Sequence, residues 1–312
     1  MKRNLLAACA MALCLAAPAL AEAATNIGVS MAQFDDNFLT VLRNGMQDYA
    51  KKSGDVSLQV EDAQNDVGKQ LNQIQNFVAQ GVDAIIVNPV DTDATPAMTQ
   101  LATAANIPLV YVNRMPADKK LPDKVAFVGS DEKQSGTLEM TEVCKVLGGK
   151  GKILVLMGEL SNQAARQRTQ DVHDVIATPD CSGIAIIEQQ TGNWKRTEGT
   201  DLMTNWISAG HKFDAVVSNN DEMAIGAIQA LKAAGFDMKT VVVAGVDATQ
   251  DALAAMKAGD LDVTVFQDAA GQGKGAVDAA VKLAKGQKVE SFVWVPFELV
   301  TPANLNTYLS KN

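Results

Sequence analysis

The chain has 312 residues, with 27 Lys and Arg against 36 Asp and Glu and a formal charge of −9. Hydrophobic residues make up 47% and charged residues 20%, which fits one large or two ordinary globular domains and excludes a disordered chain, a disulfide scaffold or a multispan membrane protein. Nucleic acid is not an expected partner, because an acidic chain lacks the clustered Lys and Arg that grip phosphate backbones.

Lys2 and Arg3 open the chain, and an apolar run follows from Leu5 to Leu20. Ala19-Leu20-Ala21 and Ala21-Glu22-Ala23 both read as small-x-small cleavage signals. The run is short for a membrane anchor, so residues 1–24 are expected to be a cleaved secretory signal peptide. Cys9 and Cys14 leave with it. The remaining Cys144 and Cys181, in an oxidising compartment, form one disulfide or stand as two separate buried thiols; the sequence leaves both readings open. Two cysteines with the distant His173 and His211 do not make a zinc cluster, and no metal site is expected.

From there the chain alternates strand and helix. Strands are predicted at Asn26–Met31, Val56–Glu61, Asp83–Val87, Pro108–Val112, Val125–Gly129, Lys152–Met157, Gly183–Glu188, Asp214–Ser218, Val241–Val246, Leu261–Phe266 and Phe292–Pro296. Most are continuous apolar runs, as in parallel strands buried on both faces. Between them, Phe38–Lys52, Gln70–Ala79 and Glu222–Ala234 carry apolar residues at helical spacing. Asp66, Thr92 and Asp221 stand where helices should start, and Gly235, Gly259 and Gly286 where they should stop. Repeated βα units predict parallel sheets flanked by helices. Eleven predicted strands are too many for one doubly wound sheet or an eight-unit barrel, so the expected fold is α/β with two lobes and a ligand crevice at the strands' carboxyl ends.

Enzyme motifs mostly fail. There is no G-x-S-x-G and no H-E-x-x-H. Gly148-Gly149-Lys150-Gly151-Lys152 is followed by Ile153 where a phosphate loop needs Ser or Thr for magnesium, so it reads as a turn. Gly271, Gly273 and Ala276 fit G-x-G-x-x-A but sit near the end of the chain, and read as helix-start glycines.

Hydrogen-bonding residues gather instead at the strand ends: Ser30, Asp35-Asp36, Asn88, Asn113-Arg114, Asn219-Asn220-Asp221, Asp247 and Gln267-Asp268. Phe34 and Phe38 flank the first acidic pair, and Trp194 follows the Gly183–Glu188 strand. A polyhydroxylated ring needs this mixture: carboxylates, amides and guanidinium forks for its hydroxyls, and flat apolar plates for its C–H faces. Arg114 and Arg168 should pair with Asp36 or Asp247, or share ligand oxygens. Each residue also has a structural reading: Asp221 as a helix cap, Arg168 as a solvated helix arginine, Trp194 as core.

The chain resembles the periplasmic sugar-binding proteins of the ribose-, galactose- and inositol-binding type. The resemblance rests on Ile27-Gly28-Val29-Ser30, Gln64-Asn65-Asp66, Val87-Asn88-Pro89, Ile107 to Arg114, Ala164-Ala165-Arg166-Gln167-Arg168, Asn220 to Gly226 and Val243 to Asp247, in this order and spacing. It implies a type I periplasmic binding protein: two lobes joined by three hinge crossovers near Gly129, Asp268 and Pro296. The N-terminal lobe would span 25–129 plus 269–295, and the C-terminal lobe 130–268 plus 296–312. Carried over by position, the ligand-binding residues are Ser30, Asp36, Phe38, Asn113, Arg114, Arg168, Trp194, Asn220, Asp247 and Gln267, with Phe34 and Asp35 as further candidates. Asn113 stands where the ribose type carries an acid, and the Ser30–Phe38 loop is two residues longer. The segment Phe34 to Met46 looks most like the inositol and rhizopine (amino-inositol) branch, where Asp35 or Asp36 would partner an ammonium.

The resemblance implies a periplasmic monomer that closes on its ligand about the hinges and docks on an ABC importer permease, with no catalytic residue and no cofactor. Three other classes carry similar lobes or chemistry. A repressor resembling the lactose-repressor family would need a helix-turn-helix where this chain has its apolar leader. A sugar-processing enzyme would need the missing motifs. A chemotaxis or sensor-kinase receptor would use the same closed form.

Overall fold

The computed structural model describes residues 24–311. The expected signal peptide, with Cys9 and Cys14, lies outside the described residues except for Ala24. Apolar β-rich runs and capped amphipathic helices alternate through the chain. The elements run β1 (Thr25–Met31), α1 (Asn37–Ser53), β2 (Val56–Asp62), α2 (Val67–Gln80), β3 (Ala84–Val87), α3 (Thr95–Ala104), β4 (Leu109–Val112) and β5 (Val125–Gly129). After the first crossing come α4 (Glu132–Leu147), β6 (Lys150–Met157), α5 (Gln163–Ile176), β7 (Gly183–Thr191), α6 (Arg196–Ser208), β8 (Ala215–Ser218) and α7 (Asp221–Ala233). The chain continues through β9 (Val242–Ala244), α8 (Gln250–Ala258), β10 (Thr264–Gln267), α9 (Ala269–Ala284), β11 (Phe292–Trp294) and β12 (Phe297–Val300).

Two parallel sheets result. One has six strands in the order β11-β5-β4-β3-β1-β2, the other four in the order β7-β6-β8-β9, and β10 pairs antiparallel with β12. Single bridges from Ala244 to Val263 and from Asp247 to Phe266 attach that pair beside β9. The chain passes between lobes three times: from β5 into α4, from β10 into α9, and from β11 into β12. Each lobe has its own core. Met31, Leu42, Met46, Val110 and Val277 lie in one, and Leu154, Met203, Trp206, Val216 and Leu231 in the other.

Among the strand boundaries that differ from the sequence reading, two have local reasons. The Val241–Val246 run is a strand only over Val242–Ala244; beyond it Gly245 N donates to Val263 O at 3.0 Å, and the chain lies so close to α7 that a Cβ on Gly245 would meet Asp221 Oδ1 at 2.5 Å. The last predicted strand stops at Trp294, short of Pro296, which has no N–H to continue a ladder, and a further strand follows over Phe297–Val300, so there are twelve strands among the described residues rather than eleven.

Caps define where helices start. Asp36 accepts from Leu39 N, Asp66 from Lys69 N, Asp131 from Lys133 N and Asp268 from Gly271 N. Two expected caps are corrected. Asp91, not Thr92, caps a 3-10 turn at Thr92–Ala94, and α3 begins only at Thr95. Asn220, not Asp221, caps α7 by accepting from Met223 N. Asp221 instead turns inward, where its two oxygens accept from Thr249 N (2.9 Å) and Thr264 Oγ1 (2.7 Å).

Cys144, near the end of α4, and Cys181, in a 3-10 turn before β7, are disulfide-bonded. None of the helices among the described residues is long and apolar enough to cross a membrane.

Candidate functional site

The carboxyl ends of both sheets meet at one cavity of about 390 Å³, including its open mouth. Asp36, Phe38, Leu39, Asn113 and Arg114 line it from the six-stranded lobe; Glu132, Asn162, Ala164, Arg168, Trp194, Asn220, Asp247 and Gln267 line it from the other side.

Nine residues singled out from the sequence therefore face one space, and three do not. The Ser30 hydroxyl is used up in the protein: it donates to Gln73 Oε1 at 2.7 Å and accepts from Gln70 Nε2 at 3.2 Å. Phe34 lies beside Arg43, whose guanidinium carbon is 4.1 Å from the ring centroid. Asp35 is exposed to solvent. Strand-end polarity thus serves two purposes. An amide relay runs behind the cavity, with Asn88 Nδ2 donating to Asn113 Oδ1 (3.3 Å), Asn113 Nδ2 to Gln272 Oε1 (3.2 Å) and Gln272 Nε2 to Ser130 Oγ (2.9 Å). Ser30 and Asn88 belong to this scaffold rather than to the cavity wall.

Arg168, on α5, is the hub of the C-terminal wall. Its Nε donates to Glu132 Oε2 at 2.7 Å, Nη1 donates to Asn219 O at 2.6 Å and lies 3.8 Å from Asp247 Oδ1, and Nη2 donates to Gln267 Oε1 at 3.4 Å. Burial opposes its charge, but Glu132 and Asp247 together overcome that and hold the guanidinium above its ordinary value. It is not a solvated helix arginine. Burial drives the Asp247 carboxyl well above the usual carboxylate range, with Arg168 opposing and Asp221 and Asp36 adding to the rise. Arg114 donates to Pro89 O at 2.9 Å, and burial lowers its basicity while Asp36 and Glu159 counter. Asp36 spends one oxygen capping α1; burial raises its carboxyl, with the Leu39 N–H and Arg114 opposing.

Trp194 combines both expected roles, since it packs in the core and lines the cavity. Its Nε1 donates to Asn162 Oδ1 at 3.0 Å, and its carbonyl accepts from Asn220 Nδ2 at 3.1 Å. The indole lies flat over Gly158, where a Cβ would come within 2.3 Å of the ring. Three cavity residues hold positive φ without being glycine: Asn113 at 67°, Trp194 at 66° and Asp247 at 122°. Such strain, on the order of 1–3 kcal/mol each, persists where surrounding structure enforces it, and here it aims three side chains at one space.

Both rims of the cavity are bridged between lobes. Asn37 Nδ2 donates to Glu222 Oε1 (2.8 Å), Asn65 Nδ2 to Glu159 Oε1 (3.0 Å), and Thr92 N to Ser161 O (3.1 Å). Asn162 Nδ2 donates to Val90 O at 2.9 Å, and Arg166 pairs with Asp93 at 3.1 Å. The lobes are closed.

Residues 27–288 match the model of the periplasmic binding protein domain. The chain belongs to the periplasmic binding protein family. A Rhizobium meliloti protein named for rhizopine binding is 66% identical over 290 residues, covering 93% of this chain and 94% of that protein. A Bacillus halodurans ABC transporter solute-binding protein, solved with bound myo-inositol, superposes with a TM-score of 0.88 at 44% identity, over 93% of this chain and 99% of its own. The Caulobacter myo-inositol binding protein, also solved with myo-inositol, gives a TM-score of 0.83 at 29% identity over 91% and 95%.

In this periplasmic binding protein, four cavity residues escaped sequence reading: Leu39, Glu132, Asn162 and Ala164. Glu132 follows the end of β5 and could have been found by extending the strand-end rule past Asp131. Asn162 occupies the N-cap position of α5 but makes no cap bond, because its amide is committed to Trp194 and Val90. Nothing in the sequence distinguishes it from an ordinary cap.

Proposed function

We propose that this protein is the secreted solute receptor of an ABC importer, and that its ligand is a small polyhydroxylated ring, a cyclitol such as inositol or an amino-inositol. The observation that carries the reading is the composition of the closed cavity: two guanidiniums, three carboxylates and four amide side chains beside Phe38 and Trp194. Each ring hydroxyl donates once and can accept twice, so a mixture of acceptors and donors satisfies it, and the aromatic plates cover the C–H faces. The relatives that bind myo-inositol support the cyclitol class, and the relative named for rhizopine supports the amino-cyclitol. Walls from both lobes let the ligand favour the closed form by its differential contacts, with Gly129, Asp268 and Pro296 at the hinges. The N-terminal lobe is then residues 25–129 with 269–295, and the C-terminal lobe the remainder of the mature chain. The closed monomer would present its ligand to the permease, and residues 1–24 would direct export before removal. The cavity chemistry calls for no cofactor and no bond-breaking group.

The test is calorimetry on refolded, ligand-free mature protein with myo-inositol, scyllo-inosamine, ribose, galactose and glucose. One-to-one binding of a cyclitol, lost in Asp247→Ala and Arg168→Ala variants that remain folded, is the expected result. Binding of ribose or a hexose alone would sink the cyclitol assignment and keep the receptor.

A further inference from the structure

The cavity wall holds more carboxyl groups than guanidiniums. Asp36, Glu132 and Asp247 line it against Arg114 and Arg168. Arg114 and Asp36 influence each other within the N-terminal lobe, which leaves Arg168 to serve both Glu132 (2.7 Å) and Asp247 (3.8 Å). Glu132 is the first residue of α4, directly after the crossing from β5, and is 4% exposed. Its two oxygens have different surroundings. Oε2 accepts from Arg168 Nε at 2.7 Å and lies 3.1 Å from Ser135 Oγ, whose one hydrogen is shared with Glu132 O at 2.8 Å. Oε1 is buried with no hydrogen-bond partner in the protein. A bare carboxylate oxygen in such a place is costly, and the residue that carries it lines the cavity.

We infer that Glu132 is the specificity-determining residue that makes this site prefer a ring carrying a protonated amine over its all-hydroxyl analogue. The inference rests on the cyclitol reading above and deepens it. A ligand ammonium supplies both a donor for Oε1 and a second positive charge beside the Glu132 carboxylate, whose other oxygen Arg168 holds. A hydroxyl at the same place supplies only the donor. Of the acids that the sequence offered for this role, Asp35 is exposed and lies off the cavity; Asp36 lines it with one oxygen capping α1, but its other oxygen is not among the buried atoms left without a partner, as Glu132 Oε1 is.

The experiment titrates refolded wild type, Glu132→Gln and Glu132→Asp with scyllo-inositol and scyllo-inosamine at neutral pH, and reads the ratio of the two affinities. General damage to the site lowers both affinities and leaves their ratio in place; loss of a charge partner moves the ratio. The wild type should favour the amine by about tenfold or more, the difference between a charge-assisted and a neutral hydrogen bond. Glu132→Gln should bring the ratio close to one, and Glu132→Asp, which keeps the charge, should retain part of it. Should Glu132→Gln fail to fold, the retained preference in Glu132→Asp, against none in Glu132→Ala, carries the test. A wild type that binds inositol without amine preference, or a Glu132→Gln variant with the preference intact, overturns the assignment and leaves the cyclitol receptor standing. Binding of neither probe overturns the cyclitol reading and this inference with it.

Discussion

Removing the Asn162 carboxamide should weaken ligand binding through the closing motion rather than through a ligand contact alone. Asn162 is fully buried, and its Nδ2 reaches Val90 O in the opposite lobe at 2.9 Å while Oδ1 holds the Trp194 indole at 3.0 Å. The Trp194 bond lies within one lobe and survives opening; the Val90 bond exists only when the lobes meet. In Asn162→Ala the Val90 carbonyl of the closed form keeps only the long 3.5 Å bond from Arg114 Nη1, whereas the open form hydrates it. A buried hydrogen-bonding group left unsatisfied costs about 1–3 kcal/mol, so the closed form and the ligand affinity coupled to it should fall by about 5- to 150-fold. Arg166→Ala is the comparison, since its pair with Asp93 bridges the same rim but is exposed and contributes about 0–1 kcal/mol. Calorimetry with the cognate cyclitol measures the loss, and small-angle scattering with and without ligand measures closure. If Asn162→Ala binds within twofold of wild type, or no more weakly than Arg166→Ala, the cross-lobe bond does not govern closure and the reasoning fails.

Gly158→Ala should displace the Trp194 plate, because a Cβ 2.3 Å from the ring is far inside a carbon–carbon contact of about 3.5–4.0 Å; overpacking of about 1–3 kcal/mol should appear in thermal denaturation together with weaker ligand binding. Replacing Cys144 and Cys181 by Ala should cost about 3–4 kcal/mol by the chain-entropy account, read as a lower Tm of about 2–4 °C for each kcal/mol, with ligand affinity kept because neither residue lines the cavity. Burial pushes the Asp171 carboxyl from 3.8 up to about 7, with Gln167 opposing and Asp174 and Glu132 adding. The folded state then holds a proton that the unfolded chain releases, so this stabilisation is complete below pH 3.8 and is lost as pH rises to about 7. Asp171→Asn should therefore flatten the fall in Tm between pH 5 and pH 8; an unchanged slope would place the titration elsewhere.

Legibility in the sequence followed the range of the interaction. Continuous apolar runs such as Ala84–Val87 and Leu109–Val112 announced parallel strands buried on both faces, and Asp66 and Gly259 announced helix ends, because these depend on neighbours within a few residues. The strand after Pro296 was missed because β12 exists only by pairing with β10, which lies thirty residues earlier. Strand-end polarity located the cavity, but it did not separate Asn113 and Asp247, which line it, from Ser30 and Asn88, which hold the wall behind it.

The amino-acid order alone thus determined the alternation of strands and helices, the two-lobed α/β class and the chemical character of the site, since periodicity, caps and strand-end residue types are local properties. Tertiary structure decided which polar groups spend their hydrogen bonds inside the protein and which face the cavity. Asn220 became a cap, Asp221 an internal anchor, and Glu132 a carboxylate with one oxygen held by Arg168 and the other bare. A hydrogen bond has one partner at a time, and only the packed arrangement of both lobes shows who that partner is.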